Sequence, residues 1–231
     1  MKLAIMQPTY IPWIGYFGLM HYVDIFVLLD SVQFERRSWQ QRNKIKTFSG
    51  EKLLTIPVFK KGKRDQLINE VKVELNTNFQ YKHSQLIKQS YCNAPFFEQY
   101  YKKIFSDNWS EFELLNEITI NLILRIKESL GIKTKIYKSS DLSSKGKKDH
   151  LLYSICKELD AKKYISPPGS KNYLLNSNEF CNDNIDIKYF EFEHPTYEQM
   201  FKNFLPYLST IDLIFNCGSK SLNIIEKGIM M

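Results

Sequence analysis

The sequence has no apolar run long enough to span a membrane. Its longest stretches are of the size of Ile25-Phe26-Val27-Leu28-Leu29, whereas a spanning helix needs about 20 apolar residues. The start, Met1-Lys2-Leu3-Ala4-Ile5-Met6, meets Gln7-Pro8 at once and is too short for the apolar part of a secretory leader. Cysteines are few, Cys92, Cys156, Cys181 and Cys217, and none forms a C-x-x-C pair. They read as reduced thiols of a cytoplasmic protein. No H-x-x-x-H, H-x-H or carboxylate cluster stands at metal-ligand spacing, so no metal site is expected. G-x-S-x-G, the P-loop and G-x-G-x-x-G are all missing. Their absence argues against a serine hydrolase, a P-loop NTPase and an ordinary dinucleotide enzyme.

What is present is a globular composition. Of 231 residues, 43% are hydrophobic and 25% charged, which excludes a disordered chain, a collagen-like repeat and a coiled-coil rod. The length suits a single domain, residues 1–231, carrying a helical insertion. The net charge of +7 fits nucleic acid, a membrane surface or phosphorylated ligands, and equally a lysine-rich solvated surface. Arginine is more informative. Only Arg36, Arg37, Arg42, Arg64 and Arg125 occur, and three of them fall within seven residues. A guanidinium offers a fixed fork to phosphate or carboxylate that lysine cannot imitate.

Residues 2–6 read as a buried strand, 13–22 as a helix and 25–29 as a second strand. This is a βαβ unit, so its strands should be parallel and its crossover right-handed. Gln7-Pro8-Thr9-Tyr10-Ile11-Pro12 is a loop, because two prolines in five residues forbid regular pairing. Residues 31–46 read as an irregular polar excursion, 53–59 and 71–75 as strands, and 81–91, 95–106 and 111–130 as helices, the last capped by Gly131. A strand at 134–138, a helix at 149–159, strands at 163–165 and 186–192, and helices at 197–207 and 219–227 follow. The alternation predicts an α/β, Rossmann-like fold with a mainly parallel sheet, and a helical block at about 80–130 inserted between its halves.

In an open parallel sheet, ligands bind beyond the carboxyl ends of the strands. That rule gathers Gln7, Asp30, Ser139-Ser140-Asp141 and the loop from Ser166 through Gly169 to Lys171 on one edge. The first loop, from Gln7 and Pro8 through Tyr10 and Trp13 to Gly15 and Tyr16, offers stacking surfaces and helix N-terminal amides. Its alternative reading is an aromatic mini-core beneath a surface loop. Residues 30–44 combine Asp30 and Glu35 with Gln33, Arg36, Arg37, Trp39, Gln40, Arg42 and Asn43. A clamp for phosphate or carboxylate fits this set. An arginine–carboxylate network pinning the loop, or contact with a single nucleic-acid strand, are the other readings. Among the histidines, His194, in a rigid turn before Pro195, is best placed for a general base. His21 reads as structural, and His83 and His150 as exposed at helix starts. The basic run at 60–64 reads as a solvated loop.

Several of these segments are familiar together. The run from Met6-Gln7-Pro8 to Gly15-Tyr16-Phe17, Asp30-Ser31-Val32-Gln33-Phe34, Arg37-Ser38-Trp39-Gln40, Tyr164-Ile165-Ser166, His194-Pro195-Thr196-Tyr197, and residues 204–216 resemble the WbqC-like family over essentially the whole chain. Members of that family occur in bacterial O-antigen and other surface-polysaccharide clusters, and one has been proposed to be a glycine transferase acting on an amino sugar. The resemblance implies a cytoplasmic transferase or ligase that acylates the amino group of a nucleotide-linked amino sugar, with glycine as the acid. A non-catalytic nucleotide-sugar or scaffold protein of the same pathway is the alternative, and a tRNA or single-strand binder the next.

Pro8-Thr9 through Gly15-Tyr16 also resembles the first loop of nucleotidyltransferase-like (HUP-like) α/β proteins such as pantothenate synthetase. Those carry an H-x-G-H-type signature where this chain has Trp13-Ile14-Gly15-Tyr16, so both histidine positions are replaced. This resemblance implies ATP with magnesium as one source of acyl activation; an aminoacyl-tRNA or a thioester is another. On this reading Arg36, Arg37 and Arg42 hold phosphates, and Arg42 spreads transition-state charge. Lys171, with Ser166 and Gly169, assists at phosphate, and His194 or Asp30 takes the proton from the attacking amine. Trp13, Tyr16 and Trp39 stack a base or sugar face. Gln7, Pro8, Tyr10, Gly15, Gln33, Gln40, Asn43, Tyr197 and Asn216 complete the substrate-binding set.

Overall fold

A computed structural model describes residues 1–63, 65–105, 112–167, 169, 179–180, 183 and 185–231. Leu3, Ala4 and Ile5 leave strand β1 (Lys2–Met6) without a face for water. A strand apolar on both sides belongs inside a parallel sheet covered on both faces. β1 takes that place. It pairs in parallel with β2 (Ile25–Leu28) on one side and β6 (Lys163–Ser166) on the other. β5 (Lys135–Lys138) lies outside β2 and β7 (Asp186–Tyr189) outside β6, giving the order β5-β2-β1-β6-β7, parallel throughout. The expected Rossmann-like arrangement is therefore present.

Alternate side chains of the central strands feed two cores. Ala4, Phe26 and Leu28 enter the larger one, with α1 (Ile14–Tyr22), α2 (Phe79–Tyr91), α3 (Phe97–Phe105) and α4 (Leu115–Leu130). α6 (Thr210–Cys217) and α7 (Ser221–Lys227) join the same face. Leu3, Ile5, Ile25 and Val27 enter the smaller core, closed by α5 (Lys148–Glu158). In α4 the Glu117 carboxylate accepts the Leu114 N–H at 3.1 Å, and Gly131, at φ 76°, turns the chain out of the helix, as a left-handed C-terminal residue does. Among the described residues no helix is long and apolar enough to cross a membrane.

Four segments differ from the sequence expectation. The excursion at 31–46 ends in a strand, β3 (Arg42–Thr47), which forms an antiparallel hairpin with β4 (Gly50–Thr55). The strand expected at 53–59 ends at Thr55, because Pro57 lacks the N–H that a ladder needs. Residues 71–75 are extended but make only single bridges, Val58 to Val73 and Lys72 to Leu114, before a short 3₁₀ turn at Leu75–Thr77.

The helix expected at 197–207 is absent, and a helix instead begins at Thr210. Phe201, Asn203 and Tyr207 adopt φ of 67°, 65° and 59°, which no right-handed helix permits. The backbone carbonyls of Phe201 and Asn203 face the ammonium of buried Lys46, at 3.4 and 2.6 Å. A helix would have used those carbonyls internally. Ser209 is the true cap, its hydroxyl accepting the Ile211 N–H.

Candidate functional site

The chain starts at the centre of the sheet, runs outward through β2 to β5, and returns to lay β6 and β7 on the other side. The switch point therefore lies beyond the carboxyl ends of β1 and β6, where folds of this type bind ligands. Gln7 leaves β1 there. Gln40 donates to the Gln7 side chain (Nε2 to Oε1, 2.8 Å) and accepts the Glu35 N–H at 3.0 Å. The first loop and the arginine-rich segment are joined again one step further. Tyr10 N–H donates to the Trp39 carbonyl at 2.9 Å, and the Asn43 amide donates to the carbonyls of Tyr10 and Ile11 at 3.1 and 2.9 Å. Asn43 thereby holds Ile11 at φ 38°, a left-handed conformation that a β-branched residue adopts only under constraint.

The structure thus joins the loop that carries Gln7 and Pro8 to the segment that carries Gln40 and Asn43, although 33 positions separate Gln7 from Gln40. Tyr10 and Tyr16 back them from inside. Both rings are buried, Tyr10 with its hydroxyl 2.9 Å from His83 Nδ1, and Tyr16 donating to the Gln7 carbonyl at 3.3 Å. His83 is consequently buried rather than exposed, and burial pulls its pKa down to about 4. Ser166 is buried at the end of β6, its carbonyl accepting the Phe190 N–H at 2.8 Å. Gly169 lies beyond it, and Lys171 falls outside the described residues.

Asp30, at the end of β2, is fully buried and accepts four hydrogen bonds. Ser139 Oγ and Ser140 N donate to Oδ1 at 3.1 and 2.9 Å; Ser140 Oγ and Asn116 Nδ2 donate to Oδ2 at 2.9 and 3.3 Å. The carboxylate ties β2 to the end of β5 and to α4. Asn116 Oδ1 is buried without a hydrogen-bond partner among the described residues. It borders a cleft of about 520 Å³ between α4 and β5, lined also by Leu28, Ile136, Lys138 and Asp141.

The three neighbouring arginines are held differently. Arg36 donates to the Lys60 carbonyl, Arg37 is exposed at φ 60°, and Arg42 is half-buried with its Nε enclosed and without a partner among the described residues. Gln33 donates to Asp65 at 3.3 Å.

Trp13 and His194 meet at a second place. Their rings lie 6.3 Å apart at 16°, with Tyr207 against both. His194 Nε2 accepts the Tyr207 N–H at 3.1 Å, so its proton sits on Nδ1, which donates to the Pro195 carbonyl at 2.9 Å. Both ring nitrogens are committed, and burial lowers the imidazole's pKa, favouring the neutral form. A Cβ on Gly15 would lie 2.2 Å from the Trp13 indole. Gly15→Ala is therefore expected to push Trp13 off His194 and Phe192 at a loss of about 1–3 kcal/mol, seen as a lower melting temperature and a shifted tryptophan emission.

Below this cluster lies a polar centre that sequence reasoning missed. Asp212 is buried, with Tyr91 and Tyr197 hydroxyls donating to its two oxygens at 2.9 Å each. Burial raises its pKa to about 6, against the opposing pull of those hydroxyls and of Lys46. Asn216 donates to the Asp212 carbonyl at 2.7 Å and accepts the Met200 N–H at 3.1 Å. The Ser209…Asp212 spacing was the available signal, since Ser followed three residues later by an acid marks a helix start.

No solved structure matches the chain. An uncharacterized protein of Mycobacterium tuberculosis is 32% identical over 225 residues, covering 95% of each chain. The profile of the WbqC-like protein family matches residues 7–224, taking in β1's outgoing loop, the Gln7–Gln40 junction, the Asp30 clamp and the His194 cluster. By that match over nearly its whole length, the chain belongs to the WbqC-like protein family.

Proposed function

We propose that the protein transfers an acyl group, glycyl in the simplest case, onto the amino group of a nucleotide-linked sugar in bacterial surface-polysaccharide assembly. The observation that carries this reading is the Gln7–Gln40 junction at the switch point of an all-parallel sheet, where nucleotide-containing ligands sit in such folds. Half-buried Gln7 would meet the ligand, held in place by buried Gln40, and Trp39 would offer a face to a base. Arg42 is half-buried, and the open part of its guanidinium would donate to the oxyanion as the tetrahedral centre forms.

The donor in this reading arrives activated. Asp30 and His194 have their hydrogen-bonding positions filled, and an ester or thioester, unlike a carboxylate, is electrophilic and carries a leaving group that can take up the amine's proton. ATP with magnesium is the other source of activation. The same engagement of Asp30 and His194 favours, as the second reading, a nucleotide-sugar binding protein without turnover.

The test offers a uridine-diphosphate amino sugar with glycyl-tRNA, with a glycyl thioester, or with glycine and Mg-ATP, and follows the acceptor by mass. Gain of one glycyl group supports transfer, and the productive donor identifies the activation. Arg42→Ala is expected to reduce that rate about 10²–10³-fold. Binding of the nucleotide sugar with no product from any donor would establish the second reading instead.

A further inference from the structure

The structure joins two basic segments that the sequence keeps apart. β3 and β4 pair Arg42 with Thr55, and just beyond the ladder Ile56 N–H donates to the Gln41 carbonyl while the Gln41 side-chain Nε2 donates to the Ile56 carbonyl. Residues 36–41 turn rather than continue the strand, but their first and last members are both tied to the 56–60 segment, so Trp39 and Phe59 belong to two segments held side by side. The Arg36 guanidinium then closes the juncture on the Lys60 carbonyl. One surface results, bearing Arg36, Arg37, Lys60, Lys61 and Lys63, all exposed. Among the described residues none of these five forms an ion pair with a carboxylate. The acids beside them are Glu35 and Asp65, the second engaged by Gln33. Set among these charges are two half-exposed aromatic rings, Trp39 at 51% and Phe59 at 49%.

We infer that this surface binds a single strand of RNA. Five cations against two carboxylates attract a phosphate backbone. Aromatic faces lying open between cations suit unpaired bases, whose own faces are free, and do not suit a duplex, whose bases are stacked on each other. Trp39 also adjoins the candidate site directly: its carbonyl accepts the Tyr10 N–H, and the next residue, Gln40, is bonded to Gln7. A strand crossing the surface would bring its end to the switch point. The inference deepens the transfer reading and rests on it in one respect, that the strand carries the acyl donor as an aminoacyl ester. In that step the sugar amine nitrogen forms the bond to the acyl carbon. The ester bond to the terminal ribose breaks, and the ribose oxygen leaves with the electron pair and takes up the proton that the nitrogen gives up.

Binding of a fluorescent single-stranded RNA that carries no aminoacyl group to the full chain tests the surface without any turnover. Expected are a log–log salt slope of about −3.5, the value for five backbone contacts on a single strand, and about a tenfold loss of affinity for Trp39→Ala with rescue by Trp39→Phe. Replacing Lys60, Lys61 and Lys63 by alanine should flatten the slope by about 2 and slow transfer from glycyl-tRNA, while transfer from a glycyl thioester continues. No RNA binding at low salt, or binding that ignores Trp39 and the three lysines, would overturn the inference, as would a preference for anionic vesicles over RNA. No product from any of the three donors with the wild-type chain would instead count against the transfer reading and leave the RNA result standing.

Discussion

Asp30→Ala is expected to lower the stability of the fold by about 4 kcal/mol, and the melting temperature by roughly 10 °C for a chain of this size. The carboxylate is fully enclosed and takes two donors on each oxygen. Alanine leaves Ser139 Oγ, Ser140 N, Ser140 Oγ and Asn116 Nδ2 facing a void. Each buried donor left unmade costs about 1–3 kcal/mol, less where a hydroxyl can turn elsewhere. Asp30→Asn should lose about half as much, because an amide oxygen can still serve Ser139 and Ser140 N while its NH₂ faces Asn116. Thermal unfolding followed by circular dichroism, with Asn116→Ala as the partner in a double-mutant cycle, reads the coupling. A variant as stable as the parent would show that Asp30 does not clamp β2 to β5.

Asp212 and His83 should produce opposing pH dependences over one window. Asp212 is held at about 6 against its ordinary 3.8, so between those values the folded chain keeps a proton that the unfolded chain has released. Raising the pH through the window therefore weakens the fold, by up to about 3 kcal/mol. His83 is held at about 4 against its ordinary 6.5. Here the unfolded chain binds the proton first, and raising the pH strengthens the fold by a similar amount. In the parent these slopes nearly cancel, with His194, also lowered by burial, adding to the His83 side. Asp212→Asn should leave stability rising steeply from about pH 4 to 6.5, and His83→Gln should leave it flatter or falling. Urea unfolding of the three proteins across that range checks both signs. Parallel curves would exclude the pairing.

The sheet was readable because its strands are apolar on both faces. Runs such as Leu3-Ala4-Ile5 and Ile25-Phe26-Val27-Leu28 have no other home, and parallel order then placed Gln7, Asp30, Ser139 and Ser166 on one edge. The hairpin was not readable. Arg42-Asn43-Lys44-Ile45-Lys46-Thr47 looks solvated, yet Lys46 is buried by Gln199, Phe201 and Asn203, more than 150 positions away. The same long-range demand for carbonyls defeated the helical spacing at 197–207. At the candidate site, residue type identified the segments but not which way their rings point. Trp39 lies half-open, while Tyr10 and Tyr16 turn inward because His83 and the Gln7 carbonyl receive their hydroxyls. Partners so distant in sequence leave no local signature.

The central position of β1 also sets a timetable for biosynthesis. One edge of β1 is covered by β2 as soon as residue 28 is made, but the other waits for β6, which begins at Lys163. At about 5–20 residues per second, that edge stands open on the ribosome for on the order of 10 s. During this time Leu3-Ala4-Ile5 presents an unpaired apolar strand to other nascent chains. The last third of the protein therefore acts as the intramolecular cover for its first six residues, and a chain halted before β6 is the form most exposed to aggregation.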